Sequence, residues 1–381
     1  MADTVFRLDP EIIIGPDTVN RAGAVLKTKG SKVMVATEQG MYDHKHIERF
    51  IKILEDAGLE TLLFDEIPAQ AAADTAETAA SIARAARCDL VIGLGTMKTN
   101  YIAKLISILA ASKLGLFDLL DGEKEEKAFL PYAAFPTAAG DPFLFSDYLI
   151  AVDPRDRFAK LIKCPRSQCK TVILDPNLSE PLTDKLASTA AFDGLCASLE
   201  AYCSLKSSFL SDALLEQAIS LYSKMMHSYV ENLSADFPAL AYDAGLLMSL
   251  GVSLAAPGIG TALSYTISAR YPVEKAWCAT VLLPYVMEKL VSLRPDRMAK
   301  AASLMEENIE NISTGEAAGL AVEIVRRRMG QLQVPARLKD LNLSLDRLVP
   351  VAEAARTLDF VAFSPWTVAS EDAYDLLKLS F

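Results

Sequence analysis

At 381 residues, the chain is long enough to bury a large core and to form two domains. Its content of 51% hydrophobic and 23% charged residues is typical of a globular protein and argues against a disordered one. A net charge of −11 gives no basic surface for nucleic acid or anionic lipid, so we expect neither as a partner. Six cysteines without a CxxC pair, and no signal peptide at the start, predict buried thiols and a cytoplasmic location.

The first half of the chain alternates between strand and helix patterns. Short apolar runs predict buried strands at Ser31–Glu38, Leu59–Phe64, Cys88–Gly93 and Tyr132–Phe135, with an edge strand at Phe6–Ile14. Helices are predicted between them at His46–Ala57, Ala71–Arg87 and Tyr101–Ser112. Such alternation predicts an α/β domain with a doubly wound parallel sheet. Two later runs, Asp147–Val152 and Thr171–Leu174, are predicted to form a hairpin or ribbon.

Helical periodicity dominates after Asp175-Pro176. Helices are predicted at Leu214–Leu233, Ala239–Ala255, Val281–Leu293, Pro295–Met305 and Ala317–Gln333. We therefore expect an α/β domain over residues 1–178 and an all-α domain over residues 179–381. The uncharged stretch Ala244–Ala269 is long enough to span a membrane, but Pro257 and two glycines interrupt it. We expect two buried helices joined by a turn there, and no membrane.

The turn after the third buried strand, GLGT at Gly93–Thr96, leads into a helix. Glycines at such a turn let backbone amides approach a pyrophosphate, and the helix N-terminus adds a partial positive charge. The same pattern also occurs in ordinary tight turns. The turn alone therefore fits both a dinucleotide site and a simple connection.

The segment Phe192–Ser204, FDGLCASLEAYCS, is predicted to be a helix with Asp193 in its first turn. Asp193 and Ala197 have the i, i+4 spacing by which a helix presents two metal ligands. The stretch AAFDGLCASLEAYCS resembles the Asp-x-x-x-His segment of the iron-containing alcohol dehydrogenases, usually DALTHAIEAYVS. Asp193 and Glu200 match that segment, whereas Ala197 stands at the position of the first metal-binding histidine.

A second segment, GTALSYTISARYPVEKAWCATVLLPYV, resembles the later His-x-x-x-His…Leu-Leu-Pro part of the same family. Aligned on Leu282-Leu283-Pro284, the two further metal-binding histidines fall on Thr261 and Lys275, and a histidine that is not a ligand falls on Tyr265. The chain has three histidines, and none of them lies in these motifs; they are His44, His46 and His227. We therefore expect no stoichiometric iron or zinc.

The resemblance covers the chain from Phe6 to the helix at Glu371–Leu377 and implies a dehydroquinate synthase-like fold. Such a fold has a Rossmann-like domain that binds NAD, followed by a helical domain, and we expect a homodimer. In the family loop GGGSxxDxAK, Gly95 and Thr96 match the Gly-Ser pair, and the Asp falls on Thr99. Glu38 ends the first buried strand, where an acidic residue of the family binds the adenosine ribose and favours NAD over NADP. A solvated strand-end carboxylate is the alternative.

The segment PTAAGDPF at Pro136–Phe143 resembles the family loop PTTAGTGSE, which covers the phosphates and the nicotinamide. Thr137 and Gly140 are retained, while Asp141-Pro142 replaces the polar end of that loop. A carboxylate near a pyrophosphate is unfavourable, and proline lacks an amide donor. We therefore expect dinucleotide binding to be weak.

The residues at the metal positions suggest two functions. In one, Lys275 polarises the carbonyl oxygen of a small carbonyl or alcohol substrate, Asp193 keeps the lysine charged, and Tyr265 donates the proton. The protein is then a metal-independent, NAD-linked oxidoreductase with cofactor residues Glu38, Gly93, Gly95, Thr96 and Thr137. In the other, Asp193 and Lys275 form an ion pair that plugs an inactive site, and the protein is a pseudoenzyme with a binding or assembly role. A lyase-type reaction is a third alternative, since lyases share this fold. It is the weaker one, because those lyases also need a metal.

Overall fold

The computed structural model describes residues 6–40, 44–123, 128–179, 184–230 and 237–381. They form two compact units. The α/β unit is built from residues 7–138 and 146–179, and the helical unit from Ala139–Phe145 and residues 184–381. The short segment Ala139–Phe145 thus belongs with the helices that follow it, which the sequence did not predict.

The α/β unit has eight strands among its described residues: β1 (Glu11–Ile14), β2 (Lys32–Glu38), β3 (Glu60–Ile67), β4 (Leu90–Gly95), β5 (Tyr132–Pro136), β6 (Tyr148–Val152), β7 (Ala159–Lys163) and β8 (Cys169–Leu174). Six of them form one sheet in the order β1-β8-β5-β4-β2-β3, and every pair in it is parallel. The predicted parallel sheet is confirmed, with β1 at its edge. The strand order reverses between β4 and β2, which is where ligands bind in open α/β sheets.

Helices cover this sheet: α1 (Ala22–Leu26), α2 (His44–Asp56), α3 (Asp74–Ala86), α4 (Met97–Leu109) and α5 (Leu116–Leu120). Residues 33–36 of β2 and 90–92 of β4 are fully buried, as expected for strands covered on both faces. On one face, Phe50 of α2 packs edge-to-face on Phe135 of β5, with ring centroids 5.0 Å apart. Apolar packing of this kind fixes the strands whose carboxyl ends carry the candidate cofactor residues.

The predicted pairing of Asp147–Val152 with Thr171–Leu174 is wrong. β6 pairs antiparallel with β7 instead, and β8 lies in the main sheet between β1 and β5. Val172 and Ile173 are fully buried, so this strand is covered on both faces, as strands of a parallel sheet are. Lys104 of α4 anchors the hairpin, because its Nζ donates to the carbonyl oxygens of Ser146 and Tyr148 at 3.0 and 3.2 Å.

The helical unit contains α6 (Asp184–Tyr202), α7 (Phe209–Val230), α8 (Phe237–Leu254), α9 (Ile259–Arg270), α10 (Lys275–Leu293), α11 (Pro295–Leu304), α12 (Thr314–Gln331), α13 (Val349–Arg356) and α14 (Ser370–Leu379). The predicted all-α part is confirmed, although the expected end of one helix at Leu233 lies outside the described residues. α8 and α10 are long and apolar enough to span a membrane by length and composition. Buried core helices of globular proteins meet the same criterion, and the most apolar window of α10 is 56% buried.

Candidate active site

Asp193 lies in the middle of α6, a helix that packs against α7, α8, α9 and α10. The prediction that Asp193 occupies the first turn is wrong, because α6 begins at Asp184. Residues from Ala191 to Cys203 are almost all buried, so no polar face marked the true start of the helix in the sequence. A carboxylate in mid-helix gains nothing from the helix dipole, and its charge needs another partner.

Lys275 provides that partner. Its Nζ donates to Oδ1 of Asp193 at 2.5 Å and to Oδ2 at 2.7 Å. Lys275 is only 3% exposed and is the first residue of α10, where the positive end of the helix dipole disfavours a cation. An ammonium group remains charged in such a place only when an opposite charge lies beside it. The structure thus brings together the two residues that the sequence placed at the centre of the site.

Tyr265 of α9 contacts the same ammonium group with the face of its ring. The distance from Nζ of Lys275 to the ring centroid is 4.5 Å, which is a cation–π contact. The ring of Phe143 packs near that of Tyr265, with a distance of 5.8 Å between the ring centroids, and its centroid lies 5.2 Å from that of Phe360. Tyr265 therefore helps to stabilise the charge of Lys275, and its predicted role as a proton donor stays a prediction.

Glu200, whose role the sequence analysis did not find, holds α9 in place. It is 4% exposed and accepts backbone hydrogen bonds from Gly258 at 3.0 Å, Gly260 at 2.6 Å and Thr261 at 3.0 Å, and a fourth bond from Oγ1 of Thr261 at 2.6 Å. Burial raises the pKa of Glu200, and these four hydrogen bonds oppose that rise. Because α9 carries Tyr265, the carboxylate of Glu200 fixes the position of the ring that contacts Lys275.

A second missed residue is Tyr222 of α7, which lies against Gly194, the neighbour of Asp193 in the chain. A methyl group added to Gly194 would lie 2.1 Å from Cζ and 2.3 Å from the hydroxyl oxygen of Tyr222, so no larger residue fits there. Tyr222 is 2% exposed. A glycine inside a helix costs stability, so Gly194 in mid-helix was the sequence signal for this close approach.

In the α/β unit, the predicted cofactor residues meet at the carboxyl ends of β2 and β4. The Oε1 atom of Glu38 accepts a hydrogen bond from the amide of Thr96 at 3.2 Å, and it also accepts bonds from the hydroxyl groups of Thr96 and Thr99. Thr96 is the N-cap of α4. Glu38 is therefore held in a fixed orientation by the first turn of this helix, and its predicted contact with a ribose stays a prediction.

The two glycines of the GLGT turn let α4 lie close to β4. A Cβ added to Gly93 would lie 2.7 Å from Oδ1 of Asn100, and one added to Gly95 would lie 2.8 Å from the side chain of Thr99. Thr137, the fifth predicted cofactor residue, is buried, and its amide donates to the carbonyl oxygen of Gly95 at 3.0 Å. The structure thus brings the five predicted cofactor residues together, in a group that we call the loop cluster.

Asp141 is buried and folds back onto its own segment. Its Oδ1 accepts a hydrogen bond from the amide of Phe143 at 2.8 Å, and its carbonyl oxygen accepts one from Oγ of Ser249 at 2.6 Å. A Cβ added to Gly245 of α8 would lie 2.7 Å from the amide nitrogen of Gly140, so the segment packs directly on the α8 backbone. The segment is thus attached to α8 through its backbone, and the side chain of Asp141 fixes the turn within the segment.

Comparisons with known proteins agree with this architecture. The family model for iron-containing alcohol dehydrogenase matches residues 9–176, and the model for the C-terminal part of the Fe-containing alcohol dehydrogenase family matches residues 187–381. The chain belongs to the iron-containing alcohol dehydrogenase family. This family of alcohol dehydrogenase-like oxidoreductases is the one that the sequence motifs resembled, so that prediction is confirmed.

Several members of the family are similar to this chain over nearly its whole length. A 1,3-propanediol dehydrogenase from Citrobacter freundii is 25% identical over 347 residues, which is 90% of this chain and 89% of the relative. An NAD-dependent methanol dehydrogenase from Bacillus methanolicus is 23% identical over 382 residues, or 98% and 99% of the two chains. The crystal structure of a 1,3-propanediol oxidoreductase superposes with a TM-score of 0.92 at 22% identity, covering 100% of both chains. This last likeness confirms the predicted fold.

The residues at the metal positions of the family do not fit a metal ion. Ala197 presents a buried methyl group, and the hydroxyl of Thr261 is bonded to Glu200. Lys275 brings a cation, and both oxygens of Asp193 accept hydrogen bonds from it. Within the described part of the chain, no three His, Cys, Asp or Glu side chains cluster as metal ligands. Tight metal sites use three or four N, O or S donors, and this one offers a single carboxylate that is already paired.

The residues of the loop cluster do fit a dinucleotide. Gly93 and Gly95 bring the backbone of the turn close to the N-terminus of α4, where a pyrophosphate can bind. Glu38 ends the strand beside this turn, and because its Oε1 accepts bonds from Thr96 and Thr99, Oε2 is the atom that would accept from ribose hydroxyl groups. These residues would hold NAD, which supplies hydride transfer when bound.

Proposed function

We propose that this protein is an NAD-linked oxidoreductase that interconverts a small alcohol and the corresponding carbonyl compound without a bound metal. In this proposal the ammonium group of Lys275 takes over the role of the metal ion. The observation that carries it is the pair of hydrogen bonds, 2.5 and 2.7 Å long, from Nζ of Lys275 to Asp193. They support a buried positive charge at Lys275, which the motif resemblance aligns with a metal-binding histidine of the family.

The chemistry required of Lys275 is to stabilise negative charge on the substrate oxygen. An ammonium group has three N–H donors, and two of them are directed at the carboxylate of Asp193. The third can bond to the carbonyl oxygen as that oxygen gains charge, and a single well-placed donor lowers the barrier by about 3–4 kcal/mol. Asp193 and the ring of Tyr265 stabilise the positive charge of Lys275 while it does so.

Reduction of a carbonyl adds a hydride to its carbon and a proton to its oxygen. We assign the proton transfer to the hydroxyl of Tyr265, since Tyr265 lies against the ammonium group that binds the oxygen. In the direction of alcohol oxidation the same hydroxyl takes the proton back. Glu38 supports NAD over NADP as the partner, because its carboxylate accepts ribose hydroxyls and repels a 2′-phosphate.

The alternative is a pseudoenzyme that keeps the fold and binds a partner. The observation that favours it is the burial of the ion pair. Lys275 is 3% exposed, and both oxygens of Asp193 accept hydrogen bonds from it. A pair of this kind can stabilise a site that no longer turns over substrate. The two proposals differ in a property that can be measured directly, namely whether Lys275 is needed for turnover.

The experiment begins with a screen of small aldehydes, ketones and polyols with NAD(H), which identifies a substrate for the kinetic comparison. With that substrate, Lys275→Met should lower kcat/KM by about a hundredfold or more, the usual loss for one donor to a charged transition state. Lys289→Met is the matched control, because Lys289 lies on the same helix but is only half-buried and pairs with Asp372. Full activity of Lys275→Met contradicts the proposed mechanism, and a complete lack of turnover by the wild type favours the pseudoenzyme.

A further inference from the structure

The hydroxyl group of Tyr222 is the feature of the helical unit that the proposed mechanism leaves unexplained. Tyr222 is 2% exposed, and its hydroxyl has no hydrogen-bond partner among the residues that the structure describes. Burying a hydroxyl without a partner costs free energy, so buried hydroxyls in folded proteins normally have one. A fully buried tyrosine that carries an unused donor is therefore expected to use it on something that binds.

The position of this hydroxyl relates it to the candidate active site. It lies directly over Gly194, and Gly194 follows Asp193 on α6. On another side, a Cβ added to Gly140 would lie 3.6 Å from the hydroxyl oxygen, so the segment Ala139–Phe145 also passes next to it. The same segment carries Phe143, whose ring contacts that of Tyr265. The hydroxyl thus lies next to the residue that follows Asp193 and next to the segment that carries Phe143.

The groups nearest to this hydroxyl already have hydrogen-bond partners of their own. The carbonyl oxygen of Gly194 already accepts a bond from Oγ of Ser198 at 2.7 Å, and the carboxylate of Asp193 is engaged by Lys275. Burial and the negative charge of Asp193 raise the pKa of Tyr222. The hydroxyl is therefore a neutral donor at any physiological pH, suited to an uncharged or partly charged oxygen atom.

We infer that Tyr222 is a further catalytic residue, whose hydroxyl donates a hydrogen bond to an oxygen atom of the bound alcohol or carbonyl substrate. This inference rests on the proposed function, since it assigns the donor to the substrate of that same site. Gly194 is the residue that admits the tyrosine ring, since any side chain at that position would overlap the ring. Together with Lys275, Tyr222 would give the substrate oxygen two donors from different helices, which fixes its orientation.

The test compares Tyr222→Phe with Tyr202→Phe. Tyr222→Phe keeps the ring that packs on Gly194 and removes only the hydroxyl. Tyr202 is a buried tyrosine of α6 whose hydroxyl donates to Glu216 at 2.8 Å, so its removal breaks a bond within the protein. We expect the thermal unfolding midpoint of Tyr222→Phe to equal or exceed that of the wild type, and that of Tyr202→Phe to fall by roughly 1–3 °C.

In the kinetic arm, Tyr222→Phe should lower kcat/KM for the best substrate of the screen by about tenfold to a hundredfold, and Tyr202→Phe should leave it within about twofold. In the binding arm, high concentrations of 1,3-propanediol and other short-chain alcohols should raise the unfolding midpoint of the wild type more than that of Tyr222→Phe. The binding arm needs no turnover. It therefore reports on Tyr222 even when the proposed hydride transfer fails.

The outcomes separate the two proposals. Wild-type turnover with an equally active Tyr222→Phe overturns the inference alone and leaves the proposed function standing. No turnover, with alcohols that stabilise the wild type but not the variant, overturns the proposed function and supports the hydroxyl site. A loss of stability in Tyr222→Phe, or no difference between the variant and the wild type in either arm, shows that the hydroxyl serves the folded protein itself or binds only water, and overturns the inference.

Discussion

A lysine at the first position of a helix, almost inaccessible to solvent, is an unfavourable arrangement by itself. Burial and the helix dipole both disfavour the charge of Lys275, and the carboxylate of Asp193 and the ring of Tyr265 compensate for them. Each charge of the pair therefore depends on the other. This mutual dependence can be measured as a coupling free energy, independently of any activity.

We predict that Lys275→Met lowers the free energy of unfolding by about 3–5 kcal/mol, because it leaves the carboxylate of Asp193, which is only 14% exposed, without its cation. The double variant Asp193→Asn, Lys275→Met should recover much of that loss, since no charge then remains uncompensated. Denaturant unfolding of the wild type, the two single variants and the double variant completes the cycle. Additive losses would show that the two residues do not interact in the folded protein.

Glu200 gives a second prediction at this scale, in the pH dependence of stability. Burial raises the pKa of Glu200, so between the ordinary pKa of a glutamate and the raised value the folded protein holds a proton that the unfolded chain has lost. Glu200 therefore contributes most to the free energy of unfolding below the pKa of an ordinary glutamate. This contribution decreases as the pH rises through the raised pKa of the folded protein. Glu200→Gln removes the titration and places an NH₂ group against backbone donors.

We expect Glu200→Gln to reduce the free energy of unfolding by about 1–3 kcal/mol at about pH 4 and by less at about pH 7. Denaturant titrations at both pH values measure the difference. Glu216→Gln, which changes the partly buried acceptor of Tyr202, is the control. If Glu200→Gln instead lowers the free energy of unfolding more at about pH 7 than at about pH 4, the four hydrogen bonds outweigh burial and lower the pKa of Glu200.

At the scale of elements, hydrogen bonds join the first turn of α4 to the end of β2. Glu38 is tied to Thr96 and Thr99 through its Oε1 atom, which fixes the carboxylate beside the glycine turn. We predict that the wild type binds NAD more tightly than NADP. Glu38→Arg should shift the ratio of the affinities for NAD and NADP by roughly tenfold toward NADP, because the 2′-phosphate then meets a cation. The preference for NAD then narrows or inverts.

Binding titrations with NAD, NADH and NADPH measure this preference. Glu60→Arg is the matched control, since Glu60 lies on β3 with an exposed side chain that is paired with Lys32. If the ratio of the affinities for NADH and NADPH is the same in Glu38→Arg as in the wild type, Glu38 only caps the turn. Equal changes in both variants would show a general effect of charge.

The sequence predicted most elements, and its errors have physical causes. The parallel sheet was visible because buried strands are continuous apolar runs, but apolar runs carry no information about pairing, so the place of β8 in the main sheet was missed. The start of α6 was missed because a helix buried on all sides lacks an amphipathic period. The Asp193–Lys275 pair could be placed from motif spacing. Tyr222 could not, because it lies far from Gly194 in the sequence.

On the scale of the whole molecule, two compact units carry two separate groups of residues. The α/β unit holds the loop cluster of Glu38, Gly93, Gly95, Thr96 and Thr137, and the helical unit holds the ion pair of Asp193 and Lys275. A homodimer and a cytoplasmic location stay predictions of the sequence. In the function that we propose, the positive charge of Lys275 stands in for the metal ion of the family.

The most direct test is to measure metal content and turnover on the same purified sample. Elemental analysis should find iron and zinc far below one ion per chain, and NAD-linked turnover of the best substrate should be unchanged after treatment with a strong chelator. One bound metal ion per chain, lost together with turnover in Asp193→Ala or on chelation, would contradict the assignment of the metal's role to Lys275.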